Sequence, residues 1–174
     1  MDKATVARWI QRITLAEGGY SNDPADPGNW TSGFTGVGEL KGTKYGIAAN
    51  TYGHLDIKGL TIDQAADIYI RDYLAPLQAE LMPPGLVYQL LDFAVNSGAG
   101  RAVKGLQREL NIKDDGVVGP ATIAAVAGRS PSDLIQLLLA NRIDFLTDLK
   151  NWPHAGRGWM KRQARNLRYG AEDS

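Results

Sequence analysis

The sequence predicts a mainly α fold of the α+β type: a helical lobe, a small N-terminal lobe of loops and β-hairpins, and a cleft between them. Three observations carry this. Residues 3–17 and most of the chain after Thr61 repeat apolar side chains at helical spacing. Residues 18–60 are instead crowded with Gly, Pro, Asn, Asp and Thr and hold only short apolar runs. Over 174 residues, 44% hydrophobic and 22% charged side chains are the proportions of one soluble domain with a real core.

The elements follow in order. Asp2 can cap a helix over 3–17, in which Val6, Trp9, Ile10 and Ile13 make one apolar face and Gly18-Gly19 the stop. Residues 18–60 read as loops with one or two short hairpins, and so long an irregular stretch in a compact domain is usually functional. Thr61 caps a helix to about Tyr73, with Ile62, Ala65, Ala66, Ile68 and Tyr69 inward. Pro83-Pro84-Gly85 breaks the chain before helices over about Leu86–Asn96 and Arg101–Leu110. Asp114-Asp115-Gly116 is a turn, and Pro120 opens a short helix ending near Gly128. Ser130-Pro131 starts a longer helix that buries Leu134, Leu137, Leu138 and Phe145. A last helix runs from about Gly158 to Arg168, docked by Trp159 and Leu167, and residues 170–174 are expected to fray.

Composition narrows the function. Nineteen basic and nineteen acidic residues cancel, which argues against nucleic acid as a partner. With no cysteine there are neither disulfides nor thiolate metal sites, and His54 and His154 lack metal-ligand spacing, so no metal is expected. No run is apolar and long enough for membrane insertion, and the N-terminus lacks a signal-peptide core. The expectation is accumulation in the cytoplasm of the producing cell.

The carboxylates near the first helix can do chemistry. Glycoside hydrolysis needs a protonated acid at the leaving oxygen and a second group that holds water or stabilises positive charge. Glu17 follows Ile13 by four residues and Ile10 by seven, at the end of the apolar face. Partial burial and the negative end of the helix dipole would both raise its pKa. Gly18 and Gly19 let a sugar chain approach the backbone. Asp23 and Asp26 each precede a proline, and either can hold a water, although both motifs also serve as plain turn chemistry.

The segment EGGYSNDPADPGNW, followed by GTKYGIAANTY, resembles the signature of glycoside hydrolase family 108, phage and bacterial lysozymes whose essential glutamate sits in Glu-Gly-Gly-Tyr. LTIDQAADIYIRDYLAPL, LLDFAVNSGAGRAVKGLQRELNIKDDGVVGPATIAAV and GWMKR extend the resemblance over nearly the whole chain. It implies a lysozyme-like fold over 1–174, a catalytic region over 1–80, a helical region over 86–170 resembling a peptidoglycan-binding unit, and no cofactor. It makes Glu17 the general acid. Related phage-type lysozymes carry a Glu, an Asp after eight intervening residues, and then a Thr. Glu17 and Asp26 have that spacing. The resemblance makes Thr43, before Tyr45-Gly46-Ile47, the third site residue, with residues 30–41 an inserted hairpin and Thr31 the competing candidate.

Tyr20, Trp30 and Tyr45 can stack on sugars or pack the small lobe, and Asn96 can bind N-acetyl groups or cap a helix. Lys161, Arg165 and Arg168 share one helix face, suited to an anionic surface or simply to solvent. The Leu-Gln, Asp-Gly and Gly-Pro-x-Thr pattern between Leu106 and Thr122 resembles small wall-binding repeats and equally completes the helical lobe. The resemblance thus implies a monomeric endolysin. It would cut the peptidoglycan glycan strand between N-acetylmuramic acid and N-acetylglucosamine after holin-dependent release from the cytoplasm. A bacterial muramidase assisting toxin secretion and a non-catalytic wall-binding protein are the alternatives.

Overall fold

The computed structural model describes residues 1–14 and 19–173, which fall into two compact units, 1–72 and 73–173. The first unit holds α1 (Lys3–Thr14), β1 (Tyr20–Ser21), β2 (Thr43–Lys44), β3 (Ile47–Ala48), α2 (Ala49–Tyr52) and α3 (Ile62–Tyr69). The second holds α4 (Pro84–Ser97), α5 (Ala99–Glu109), α6 (Pro120–Ala127), α7 (Pro131–Thr147) and α8 (Trp152–Asp173). The fold is mainly α with one small antiparallel sheet, the class the sequence predicts.

In the first unit the apolar face of α1 buries Val6, Trp9, Ile10 and Ile13 as the spacing requires. Asp2 caps it, accepting from the Thr5 N–H at 2.9 Å and the Thr5 hydroxyl at 2.8 Å. α1 packs on α3, whose start is a capping box: Gln64 N–H donates to Thr61 Oγ1 and Thr61 N–H donates to Gln64 Oε1. After Tyr69 the helix widens into a π-helical turn, Ile70–Leu74, so the predicted helix to Tyr73 is continuous but not all α.

The sheet is three strands in sequence order, with Ser21 opposite Thr43 and Thr43 opposite Ala48. Tyr45 and Gly46 join β2 to β3 with φ of 52° and 76°, positive at both positions as a type I′ hairpin turn needs. Residues 30–41 form the second hairpin, closed by a Trp30–Leu40 bridge and by Thr31, which exchanges hydrogen bonds with Glu39. At its tip Phe34 is 70% exposed.

The second unit is built around α4, buried from Gly85 to Ala94. Asp92 lies in the middle of that apolar run and is 1% exposed. Its carboxylate accepts from Arg142 of α7 at 2.5 Å, and from Arg162 and Asn166 of α8 at 2.7 Å each. Burial alone would raise this carboxyl, but the Arg142 charge and the Arg162 hydrogen bonds and charge outweigh it and hold the group below the usual carboxylate range. Burial lowers the Arg142 guanidinium more than Asp92 raises it, yet arginine starts so high that it stays charged.

The turn between α5 and α6 explains the repeat-like pattern in the sequence. Gln107 donates to the Asp115 carboxylate at 2.9 Å and to the Val117 carbonyl at 3.0 Å, and accepts from the Gly116 N–H at 2.8 Å. Its Nε2 also reaches the Thr122 hydroxyl at 3.2 Å. Gln107, Asp115-Gly116 and Thr122 of that pattern are therefore joined in one hydrogen-bonded turn.

Several local expectations are corrected. α8 begins six residues before Gly158 and continues through Gly170 to Asp173, so residues 170–173 are helical, and Ser174 lies outside the described residues. Leu167 is 47% exposed and does not dock the helix. Gly156, Gln163, Asn166 and Gly170 face inward instead. In α7, Ile135, Leu139 and Leu146 are buried, whereas Leu137 and Phe145 are half-buried.

Candidate active site

Asp26 starts the site. Its backbone is extended and its Oδ1 accepts from the Gly28 N–H at 2.8 Å, which caps the short 3-10 turn Pro27–Asn29. Pro27 fits the first position of that turn because it has no N–H to satisfy. Asp26 Oδ2 has no partner among the described residues. Asp23 makes the equivalent turn bond, accepting from the Ala25 N–H at 2.9 Å.

The turn delivers Asn29 into the interior, where it is fully buried. Its Nδ2 donates to the Asp23 carbonyl at 3.0 Å, and its Oδ1 accepts from the Thr43 hydroxyl at 2.8 Å. Its backbone carbonyl accepts from the N–H groups of Lys41 and Gly42, both at 3.0 Å. One side chain thus ties the Asp23–Asp26 loop to β2.

Gly42 sets the entry to β2. It has φ of 80°, and a Cβ there would run into the Ser21 carbonyl and the Tyr20 ring. Replacing Gly42 with alanine is expected to lower the melting temperature by several degrees and to displace Thr43, which thermal unfolding and activity on the same sample would register together.

A cavity of about 310 Å³ opens on this face of the sheet, lined by Thr14, Gly19, Ser21, Asp26, Thr43, Tyr45 and Gly46. It brings together three of the predicted site residues: Asp26, Thr43 and Tyr45. Tyr45 holds a left-handed backbone unusual for a bulky residue, and its carbonyl accepts from the Tyr69 hydroxyl at 3.0 Å. Strained residues of this kind cluster at functional sites.

The other predicted residues are placed elsewhere or lie beyond description. Tyr20 alternates with Ser21 on β1 and lines a second pocket of about 400 Å³ beside Lys41, His54 and Lys58, with its hydroxyl donating to the Lys41 carbonyl at 3.2 Å. Asp23 and Thr31 do not line the Asp26 cavity. Trp30 donates its indole N–H to the Pro24 carbonyl at 2.9 Å and braces the loop. Asn96 belongs to the second unit, on the last turn of α4, where its Nδ2 donates to the Asp92 carbonyl at 2.7 Å. Glu17 lies outside the described residues. Asn29 and Ser21 were not anticipated. The available signal for Asn29 was a lone amide between Gly28 and Trp30, in a loop whose other polar residues are turn formers. Among the described residues no cluster of three His, Asp or Glu side chains is placed to hold a metal ion.

Comparison with known proteins adds the family. Residues 10–98 match the family described as Glycosyl hydrolase 108, and residues 101–164 match the one described as Predicted Peptidoglycan domain. No curated protein matches the chain. Among solved structures, SagA of Brucella abortus is similar with a TM-score of 0.79 and 31% identity, over 99% of this chain and 97% of that one. A glycosyl hydrolase 108 match over more than half of the sequence, joined to a peptidoglycan-type region and a full-length structural likeness, makes the chain a glycoside hydrolase belonging to the glycosyl hydrolase 108 family.

Proposed function

We propose that the protein is a lysozyme that hydrolyses the β-1,4 bond from N-acetylmuramic acid to N-acetylglucosamine in peptidoglycan. Glu17 donates its proton to the glycosidic oxygen as that bond breaks. A water held by Asp26 and Thr43 attacks the anomeric carbon from the opposite side, and Asp26 takes the proton the water loses. The anomeric configuration therefore inverts. Tyr45 lies along the sugar at the cavity rim, with Tyr20, Asp23 and Asn96 as further substrate contacts. The region over 1–80 carries the chemistry and the helical region over 86–170 holds the wall.

The observation that carries this reading is the convergence of Asp26, Thr43 and Tyr45 on one cavity with Thr14 and Gly19. In sequence those last two residues bracket the stretch that contains Glu17. Among the described residues no helix is long and apolar enough to cross a membrane. The setting we propose is that of a monomeric phage endolysin, made in the cytoplasm and released through a holin pore to reach the wall.

The competing reading from another class is a wall-binding protein that does not cut. Incubation with purified peptidoglycan separates the two. The lysozyme reading predicts release of reducing sugar in proportion to time and enzyme. Sedimentation of the protein with the wall, without reducing sugar, would end it.

A further inference from the structure

We infer that Asn29 is a positioning residue that orients the Thr43 hydroxyl so that only its lone pairs face the Asp26 cavity. This rests on the hydrolytic reading above and names how its water is held.

Each donor in this cluster forces the next. The Asp23 carbonyl can only accept, so the Asn29 amide must turn its nitrogen toward it, at 3.0 Å. That leaves Oδ1 facing Thr43. An amide oxygen also only accepts, so the single hydroxyl proton of Thr43 is committed to it, at 2.8 Å. Asn29 is fully buried and its backbone is tied to Asp26, Lys41 and Gly42, so the amide has no room to flip. Thr43 therefore meets the cavity as an acceptor. Asp26 does the same, with one oxygen on the Gly28 N–H and the other unpartnered among the described residues.

Two acceptors on one cavity wall fix a water by its two hydrogens. One hydrogen points at Asp26 and the other at Thr43, so a lone pair of the water oxygen points away from both, into the cavity. During attack the oxygen forms its bond to the anomeric carbon, Asp26 receives one proton, and Thr43 keeps its hydrogen bond to the other. A threonine free to rotate would present its own proton to the water in part of its population and turn the water's lone pair the wrong way.

The test is Asn29→Asp. Asp23 and Asp26 are like charges on the same loop. The Lys41 ammonium is already bound to the Gly53 carbonyl at 2.6 Å and to Glu39 at 3.3 Å, and α2, packed on this turn, carries no charge. The new buried carboxyl therefore titrates above the ordinary aspartate value of about 3.9. Ionised, it has no proton for the Asp23 carbonyl. Protonated, it donates to that carbonyl and accepts from Thr43, which restores both bonds.

At neutral pH the variant is expected to lose about tenfold in kcat, the rate equivalent of one hydrogen bond, with KM unchanged within about twofold. Its kcat relative to the parent protein should climb as pH is lowered toward about 5. Thr43→Val is expected to lose a similar factor and Thr43→Ser to keep most of the activity. Adding Asn29→Asp to Thr43→Val should cost kcat nothing further. Losses that multiply in the double variant would mean that Asn29 only holds the loop, and a flat pH ratio would mean that neither bond of its side chain matters to turnover; either result would overturn the inference. Should Asn29→Asp fail to fold by circular dichroism, the Thr43 pair decides: a valine variant with parental kcat sinks the idea. If the parent protein releases no glycan fragments, the hydrolytic reading itself fails. If it does and these variants behave otherwise, only the role of Asn29 does.

Discussion

Replacing Glu17 with glutamine is expected to lower kcat/KM on peptidoglycan by about a thousandfold, the usual scale for losing a general acid, while the protein stays folded. Glutamine matches glutamate in shape and keeps its hydrogen-bonding reach, but it has no proton to give. The leaving oxygen of a glycoside is a poor leaving group unless it is protonated as the bond breaks. The loss should therefore appear in kcat, with binding of the glycan strand little changed. Initial rates of reducing-sugar release, set beside the melting temperatures of both proteins, check this. A folded glutamine variant that keeps more than about a tenth of the activity would move the acid elsewhere.

The second large effect is on stability. Asp92→Asn is expected to cost about 3–5 kcal/mol, because it leaves the Arg142 guanidinium, 2% exposed, without its counter-charge and takes an ion pair from Arg162. Asparagine keeps the shape of the side chain and removes the charge that Arg142 and Arg162 share. In a chain of this length that loss lowers the melting temperature by roughly 10 °C. The exposed Arg108–Asp114 pair is the control: Asp114→Asn should leave the melting temperature unchanged.

The same network predicts a pH dependence. The Asp92 carboxyl is held below its unfolded value, so its contribution is full above about pH 4 and is lost as pH falls through the folded pKa. Acid unfolding of the parent protein should thus be steep below about pH 4, and the asparagine variant should lack this component. Urea midpoints measured from pH 7 down to pH 3 would show it. Parallel pH curves for the two proteins would contradict it.

How much of this was legible beforehand depends on what each residue packs against. The start and apolar face of α1 could be read to the residue, because Val6, Trp9, Ile10 and Ile13 face an apolar core and Asp2 and Thr61 cap their helices with the chemistry the sequence advertises; its expected end at residue 17 lies outside the described residues. α8 outruns its expected span at both ends for a physical reason. Gly156 reads locally as a helix breaker, but a Cβ there would meet the Trp152 ring at 2.8 Å, so the glycine is required by packing. Gly170 likewise leaves room for Ile135, against which a Cβ would sit at 2.7 Å. The inward face of α8 carries the polar Gln163 and Asn166, of which Asn166 bonds Asp92, so a search for apolar residues selects the wrong face and nominates Leu167.

The site divides in the same way. Spacing and family resemblance nominate Asp26 and Thr43, which line one cavity, and a hairpin closed by the Trp30–Leu40 bridge lies between them in sequence. Asn29 was not reachable. Its role depends on the Asp23 carbonyl and the Thr43 hydroxyl, groups that lie six and fourteen residues away along the chain and meet only in the fold. Tyr20 reads as a sugar-stacking residue by composition. Strand alternation places it on a second pocket rather than on the Asp26 cavity that Ser21 lines, which no count of aromatics reveals.

The most direct measurement of the central claim is mass spectrometry of borohydride-reduced fragments from peptidoglycan digested with the purified protein. Hydrolysis at N-acetylmuramic acid predicts fragments ending in reduced muramic acid, absent when Glu17→Gln replaces the parent protein. Fragments ending in reduced glucosamine, or freed peptides with the glycan uncut, would contradict it.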